Sequence, residues 1–259
     1  MLEAGGSGSG AAAAAKRPAL PFGIAAIDAL LPGGGLAAGA LHEIMGAGPD
    51  EEDGAVTAAF AAGILARLAR GGTGGGTVLW CLVRSDLHAP GLARLGLDPA
   101  RLVVVRGRRD ADVLWAMEEA LREGGGGGGN GPVAAVLGEV SGLPATAGRR
   151  LQLAAETSGV TALVLRRWPT GAVAARQRGV PTAASTRWRV AALPSVPAAA
   201  GEPGVGRPLW RVELLRCRGA AAGVPASWIV EGCDASGHVA LSAGLADRPA
   251  RPRDRARPG

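Results

Sequence analysis

Short apolar runs alternate with amphipathic segments along the first two thirds of the chain. Five runs have strand length and are almost wholly apolar: 40–45, 77–83, 102–105, 133–137 and 160–165. Runs of this kind are typical of strands that are covered on both faces. Between them, apolar residues recur at helical spacing in three segments: about 50–70, 112–123 and 145–158. The alternation predicts an α/β protein with a mostly parallel sheet and flanking helices.

The pattern changes after residue 165. The later runs are separated by glycine and proline turns: 187–193, 209–217, 228–231 and 238–241. Large apolar and charged residues alternate in them, which is typical of strands with one solvated face. We therefore predict an antiparallel extension of the same sheet over about 187–241. In this extension Arg187, Arg189 and Arg211 are expected to face water on edge strands.

Both ends of the chain differ from the part between them. Residues 1–17 are of low complexity, and 247–259 combine prolines with five arginines. Segments of such composition cannot bury enough apolar surface to fold, so we predict two disordered tails. The predicted domain covers residues 18–246.

Composition narrows the class of protein further. The chain has 259 residues, enough for one sizeable core, and its 47% hydrophobic content includes many small alanines. No strongly apolar run reaches the length of about 18 residues that a membrane span needs, and the N-terminus lacks the leucine-rich run of a signal peptide. We expect a cytoplasmic protein with no membrane contact.

The residues that most often carry catalysis or bind metals are few and scattered. The three cysteines, Cys81, Cys217 and Cys233, form no C-x-x-C pair, which favours buried reduced thiols over a disulfide or a metal site. The three histidines show no ligand or triad spacing. We therefore predict no catalytic residue and no metal.

The formal charge is +6 and is carried almost wholly by arginine, because Lys16 is the only lysine. A net positive charge permits weak, salt-sensitive attraction to nucleic acid or to an acidic partner, but it identifies neither. Aromatic residues make up only 3% of the chain, with no tyrosine, so a base-stacking platform is not supported. Any DNA contact would be mainly electrostatic.

Several short sequence motifs, taken with their order and spacing, resemble those of the ImuA family. Its members are RecA-like (SulA-related) accessory proteins of the bacterial damage-inducible mutagenesis cassette. The resemblance runs from about residue 20 to residue 241. The words that carry it include Leu20-Pro-Phe-Gly, Pro32-Gly-Gly-Gly-Leu36, Leu41-His-Glu43, Trp115-Ala-Met-Glu-Glu-Ala-Leu121 and Trp210-Arg-Val-Glu-Leu214.

The resemblance implies a RecA-like fold and an adaptor role in SOS-induced error-prone translesion DNA synthesis. It implies an ImuB-like inactive Y-family polymerase homologue as partner, with RecA as a further candidate. It points indirectly to the error-prone DNA polymerase III alpha-type subunit, and to association with the nucleoid during DNA damage. Two alternatives stay open: a SulA-like cell-division inhibitor, and a RecA-like DNA-dependent ATPase with an atypical site.

The resemblance also places the phosphate-binding loop at residues 46–56. A working loop reads G-x-x-x-x-G-K-[ST], in which lysine neutralises phosphate and the hydroxyl binds magnesium. Gly46, Gly48 and Gly54 stand in this segment, but Ala55 and Val56 follow where the lysine and hydroxyl residue should be. The segment is therefore predicted to be a degenerate loop that binds no nucleotide cofactor.

Acidic residues surround the same place. Asp50, Glu51, Glu52 and Asp53 would repel a triphosphate, whereas carboxylates near a helix N-terminus satisfy free N–H groups. We infer that these side chains replace the ligand. Glu139 follows the strand on which relatives carry a magnesium-binding aspartate. Asp86 and His88 follow the strand on which relatives carry the glutamate that activates water.

Six arginines are candidate contacts for DNA or a partner: Arg166, Arg167, Arg176, Arg178, Arg211 and Arg216. The first two end a strand on the side of a parallel sheet where ligands bind. The favoured interpretation of these two arginines is a solvated strand end that nearby acids stabilise. The segment 170–184 is read as a mobile DNA-contacting loop or as a disordered connector.

Overall fold

A computed structural model describes residues 18–71, 75–124, 133–195, 206–220 and 224–242, so the two predicted tails lie outside the described residues. The strands are β1 (Ala19–Leu20), β2 (Leu36–Ala37), β3 (Leu41–Gly46), β4 (Thr77–Leu82), β5 (Leu102–Arg106), β6 (Val133–Val140), β7 (Thr161–Arg166), β8 (Thr186–Leu193), β9 (Leu209–Cys217), β10 (Ala226–Glu231) and β11 (Ala240–Leu241). The α-helices are α1 (Ala25–Asp28), α2 (Asp50–Arg70), α3 (Ala89–Arg94), α4 (Asp110–Glu123), α5 (Ala145–Ser158) and α6 (Gly171–Arg178). A 3-10 turn spans Pro99–Arg101.

Nine strands form one sheet, in the order β11-β10-β9-β8-β3-β7-β6-β4-β5. The pairs from β8 to β5 are parallel, and the pairs from β8 to β11 are antiparallel. The α/β prediction is confirmed. The antiparallel part begins one strand later than predicted, because β8 pairs parallel with β3 and only its other side pairs antiparallel with β9. As a result, β8 is an interior strand.

The core lies on both faces of the sheet. On one face α2 packs against the sheet, and the rings of Phe22, Phe60 and Trp188 lie 5.1–6.1 Å apart by their centroids. On the other face α4 and α5 cover β6 and β7, and Met117 of α4 and Leu151 of α5 are buried. The helical stripes predicted from the sequence therefore do face the core. Gly159, with φ of 77°, ends α5 in the left-handed conformation that glycine favours.

Three sequence expectations are corrected by this arrangement. Residues 102–105 were expected to be covered on both faces, but β5 is the last strand of the sheet, and Val103 and Val104 are 48% and 50% exposed. The segment 170–184 contains the helix α6 where a mobile loop or a disordered connector was expected. Arg187 is buried because its side chain lies against Glu43 of β3 and against the carbonyl oxygens at the end of α6.

A buried histidine joins the two central strands β3 and β8. One ring nitrogen of His42 lies 2.8 Å from Thr186 Oγ1, and the other lies 2.8 Å from the carbonyl oxygen of Ala37. Burial lowers the pKa of His42 to about 4, although the bond to Ala37 opposes this shift. The ring is therefore neutral near pH 7 and acts as a hydrogen-bonding link.

The structure adds two further observations. The three cysteines are free thiols, and burial raises the pKa of Cys81 and of Cys233 to about 12. Among the described residues, no helix combines the length and apolar character needed to cross a membrane.

Candidate functional site

The segment between β3 and α2 occupies the position of the predicted phosphate loop. Because α2 begins at Asp50, only Ala47, Gly48 and Pro49 lie outside regular structure. Gly46 ends β3, while Gly54, Ala55 and Val56 belong to the second turn of α2. Of the predicted segment 46–56, three residues therefore connect β3 to α2, and the rest belongs to these two elements.

The backbone N–H groups of this short loop already have acceptors within the protein. Ala47 N–H donates to Val190 O at 3.0 Å, and Asp50 N–H donates to Trp168 O at 2.8 Å. Gly48 N–H donates to Asp53 Oδ2 at 2.6 Å. Pro49 has no N–H. A phosphate group at this position would have to displace these internal bonds.

The Asp53 carboxylate is the negatively charged group that accepts hydrogen bonds at this loop. Its residue is 5% exposed, and its second oxygen, Oδ1, accepts a hydrogen bond from Ala192 N–H at 2.9 Å. A Cβ atom added to Gly46 would lie 2.9 Å from Asp53 Cβ, so the side chain lies close against the end of β3. The carboxylate therefore links the loop to β8 and accepts the kind of N–H donation that a phosphate oxygen would receive.

Replacing Asp53 by alanine is expected to lower the free energy of unfolding by about 1–3 kcal/mol, because two partly buried backbone N–H groups lose their acceptor. The Asp53→Asn variant keeps one carboxamide oxygen and should lose less. Chemical denaturation measures both. The matched control is Glu52→Ala, an exposed side chain of the same helical turn. Equal losses for Asp53→Ala and Glu52→Ala would contradict the role assigned to Asp53.

A second cluster, centred on Arg167, lies beside the start of α2. The Arg167 guanidinium donates from Nε to Asp50 Oδ2 at 2.8 Å, from Nη1 to Glu139 Oε2 at 2.7 Å, and from Nη2 to Asp86 Oδ2 at 2.7 Å. Arg84 adds a contact of 3.0 Å to Asp50 and one of 3.3 Å to Asp86. These residues come from four elements or the loops that follow them. We call them the Arg167 cluster.

The Arg167 cluster contains Glu139 and Asp86, two residues that were predicted to follow the strands on which the resemblance places a magnesium ligand and a base. Glu139 lies inside β6, is 4% exposed, and accepts a hydrogen bond from Trp80 Nε1 at 2.7 Å. Burial raises the pKa of Glu139, while Arg167 and Trp80 partly oppose the shift. Burial also lowers the pKa of Arg167, but the carboxylates, Glu139 foremost, raise it by more. Arg167 thus provides the positive charge that the carboxylates at this edge of the sheet require.

A third cluster lies deeper in the sheet around Glu43, which is fully buried in β3. Glu43 Oε1 accepts from Arg166 Nη1 at 2.8 Å, and Oε2 accepts from Arg187 Nε at 2.9 Å. Arg166 also donates to Ser141 O and Gln177 Oε1, and Arg187 donates to the carbonyl oxygens of residues 178 and 180. The three side chains form the Glu43 cluster, which holds the C-terminal end of α6 against the sheet.

The six predicted contact arginines therefore separate into two groups. Arg166 is 2% exposed, and Arg167 is bound by three carboxylates, so neither offers a free guanidinium to a partner in this structure. Arg178 is half-buried, donates to Ala47 O, and lies 5.9 Å from the Trp168 ring centroid. Arg176, Arg211 and Arg216 are exposed. Only these three match the surface position that the sequence interpretation assigned to all six.

His88 has a local role beside the Arg167 cluster. Its Nδ1 accepts a hydrogen bond from Gly91 N–H at 3.1 Å and caps α3. An open groove of about 570 Å³ lies here between α2 and α3, floored by Ala55, Ala58 and Leu92 and bordered by Arg84 and Asp86. Among the residues that the structure describes, no group of three His, Cys, Asp or Glu side chains could hold a metal ion.

Sequence reasoning located this site but missed its partners. Asp53 was predicted to cap the helix and, with its acidic neighbours, to replace the ligand, but its bond across 139 positions to Ala192 was not foreseen. Glu43 was noted only as part of a family word, and its isolation in an apolar strand was the available signal. A single carboxylate among buried residues requires buried cations. Two arginines at strand positions further along the chain supply them.

The fold and site define an α/β protein whose phosphate-loop position is filled by its own side chains. Over 225 residues the chain is 46% identical to Protein ImuA of Caulobacter vibrioides strain NA1000 / CB15N, covering 85% of this chain and 86% of that protein. The same values hold for Protein ImuA of Caulobacter vibrioides strain ATCC 19089 / CIP 103742 / CB 15. No protein-family model matches the chain. The chain belongs to the ImuA family.

Proposed function

We propose that the protein is a non-catalytic, RecA-like adaptor of damage-induced mutagenesis that binds protein partners and neither binds nor hydrolyses ATP. Membership of the ImuA family supports the link to the mutagenesis cassette. The observation that carries the non-catalytic part is the hydrogen bonding of the loop after β3. There the N–H groups of Ala47, Gly48 and Asp50 are all bonded to acceptors of the chain itself.

Charge supports the same proposal. A phosphate loop uses a lysine to neutralise the transferred phosphate and a hydroxyl to hold magnesium. Ala55 and Val56 supply neither, and Lys16, the single lysine, precedes β3 by 24 residues of sequence. At the start of α2, Asp50, Glu51 and Glu52 would face a triphosphate with like charge. Two guanidinium groups lie beside the loop: Arg167 is bound to three carboxylates, and Arg178 donates to Ala47 O.

Calorimetric titration of the purified chain with ATP and magnesium at millimolar concentration tests the non-catalytic part of the proposal. We expect no binding heat and no phosphate release, with or without single-stranded DNA. The Asp53→Ala variant frees two N–H groups but adds no cation, so it should also fail to bind. Turnover by the wild-type chain would contradict the proposal and would require a phosphate site built from arginine.

The adaptor part of the proposal concerns partners. The family resemblance supports an ImuB-like inactive Y-family polymerase homologue as the direct partner. It supports RecA as a second candidate, and an indirect link to the error-prone DNA polymerase III alpha-type subunit. Co-purification of the chain with the ImuB-like protein of the same cassette, at low salt, tests this part. Recovery of the chain without that protein would contradict it.

A further inference from the structure

The strand β5 forms one edge of the nine-stranded sheet. Among the described residues it pairs with β4 alone, from Leu102 opposite Val78 to Arg106 opposite Leu82. No strand of the described ranges bonds to the N–H and C=O groups on its other side. Such an edge can accept an additional strand from another chain.

The centre of this edge is apolar. Val103 and Val104 are 48% and 50% exposed, although valines of interior strands such as Val136 and Val164 are fully buried. They lie on opposite faces of the sheet: Val103 is opposite Leu79, which packs against the α4 and α5 side, and Val104 is opposite Trp80, which packs against the α2 side. An added strand would cover apolar surface on both faces. Soluble proteins usually protect edge strands with inward charges, prolines or bulges, and Leu102–Arg106 has none of these at its centre.

The C-terminal end of the same edge is strongly basic. Arg106, Arg108 and Arg109 are exposed. Arg109 pairs with Asp112 at 3.2 Å, whereas Arg106 and Arg108 have no carboxylate within ion-pair distance in the described part of the chain. A strand that binds here with acidic residues at this end would gain charge complementarity.

The same charges disfavour pairing of two copies of the chain. An antiparallel pair of β5 strands centred on Val104 would place Arg106 of each copy opposite Leu102 of the other, beside Arg101. Arg106 and Arg108 of one copy would then lie near Arg101 of the other at both ends of the pair, and the Asp98 carboxylate beside Arg101 offsets only part of this positive charge. A segment of a different protein, with the opposite charge, fits this edge better.

We propose that β5 is the docking edge for an extended segment of a partner protein. That segment carries apolar side chains on both of its faces at the centre and acidic side chains at the end that meets Arg106 and Arg108. The proposal rests on the adaptor role proposed above and names the surface that this role uses.

The experiment measures the affinity of the intact chain for the ImuB-like protein of its cassette, by biolayer interferometry. Two variants change net charge equally: Arg106→Glu/Arg108→Glu at the edge, and Arg94→Glu/Arg149→Glu at exposed positions on α3 and α5. We expect the edge variant to lose about tenfold or more in affinity and the control to change by about twofold or less. Hydrogen exchange provides a second readout, with slower exchange at 102–106 in the complex.

The outcomes separate the two proposals. If the wild-type chain does not bind the ImuB-like protein, the adaptor role and this inference fail together. If it binds, but both double variants bind alike and the amides of 102–106 exchange as in the free chain, only the docking edge is wrong. If the edge variant alone loses affinity and the amides of 102–106 exchange more slowly in the complex, the inference stands. Formation of a homodimer that the edge variant strengthens would show that the edge serves a second copy.

Discussion

Replacing Arg167 by alanine is expected to lower the free energy of unfolding by about 3–5 kcal/mol, the usual range when one partner of a buried ion cluster is removed. The guanidinium is 14% exposed, while the Asp50 and Glu139 side chains are 8% and 3% exposed. Without it, three carboxylates would face one another with only Arg84 between two of them. Thermal and urea unfolding would measure the loss.

The pH dependence of this loss has a definite sign. Burial holds the pKa of Glu139 above its ordinary value, even with Arg167 present. A carboxyl group with a raised folded-state pKa stabilises the fold below its unfolded pKa, and this contribution disappears as pH rises through the folded pKa. Without Arg167 the pKa of Glu139 rises further. The difference between wild type and Arg167→Ala should therefore be smaller at pH 5 than at pH 8.

Two controls isolate the cause of the effect. Arg84→Ala removes a guanidinium from the same cluster, but that side chain is 57% exposed, so the expected loss is about 0–1 kcal/mol. Arg167→Lys keeps the charge but cannot reach three carboxylates in one plane, so it should fall between wild type and alanine. A loss for Arg84→Ala as large as that for Arg167→Ala would contradict the central role of Arg167.

The second large effect is expected for Glu43→Gln. Glu43 is fully buried between Arg166 and Arg187, whose side chains are 1% and 10% exposed. Neutralising it leaves two buried cations without an anion, which should cost about 3–5 kcal/mol. Amide exchange in α6 should also accelerate, because both arginines bond to the C-terminal part of that helix or to the residues after it.

A matched pair of variants tests whether the Glu43 cluster, and not glutamate as such, causes this loss. Glu213→Gln breaks the ion pair between Glu213 of β9 and Arg189 of β8, whose side chains are 18% and 27% exposed. This change should lower the free energy of unfolding by about 1 kcal/mol or less. Replacing Glu43, Arg166 and Arg187 together by leucine or methionine removes every charge of the cluster. That triple variant should recover most of the stability lost in Glu43→Gln. A triple variant less stable than Glu43→Gln would show that the ions stabilise the fold directly.

The sequence determined the strands and long helices well, because apolar runs and helical stripes are local signals. Helix α5 has the predicted bounds, and α2 begins at the first residue of the predicted range. The short helices α1, α3 and α6 were missed, since segments of four, six and eight residues carry little periodicity. The exposure of β5 was also missed, because an apolar edge strand and an apolar interior strand have the same local pattern.

The candidate site was less predictable because its contacts are long-range. Alternation in 187–193 suggested that Arg187 faces water, but the parallel pairing of β8 with β3 places Arg187 beside Glu43, and the end of α6 covers it. The bonds from Glu43 to Arg166 and Arg187 span 123 and 144 positions. No local pattern encodes such a pairing, whereas the loss of the loop lysine is local and was visible in the sequence. Whether that loss abolishes nucleotide binding stays a prediction.

The Asp53 side chain has a consequence for how this loop depends on diffusible anions. A loop organised by a diffusible anion becomes more stable as that anion becomes abundant, since bound ligand adds RT ln(1 + [L]/Kd) to stability. A carboxylate on the chain is present at a fixed effective concentration beside Gly48 and Ala192. In the proposed non-catalytic role, the hydrogen bonds of this loop therefore form without phosphate or nucleotide.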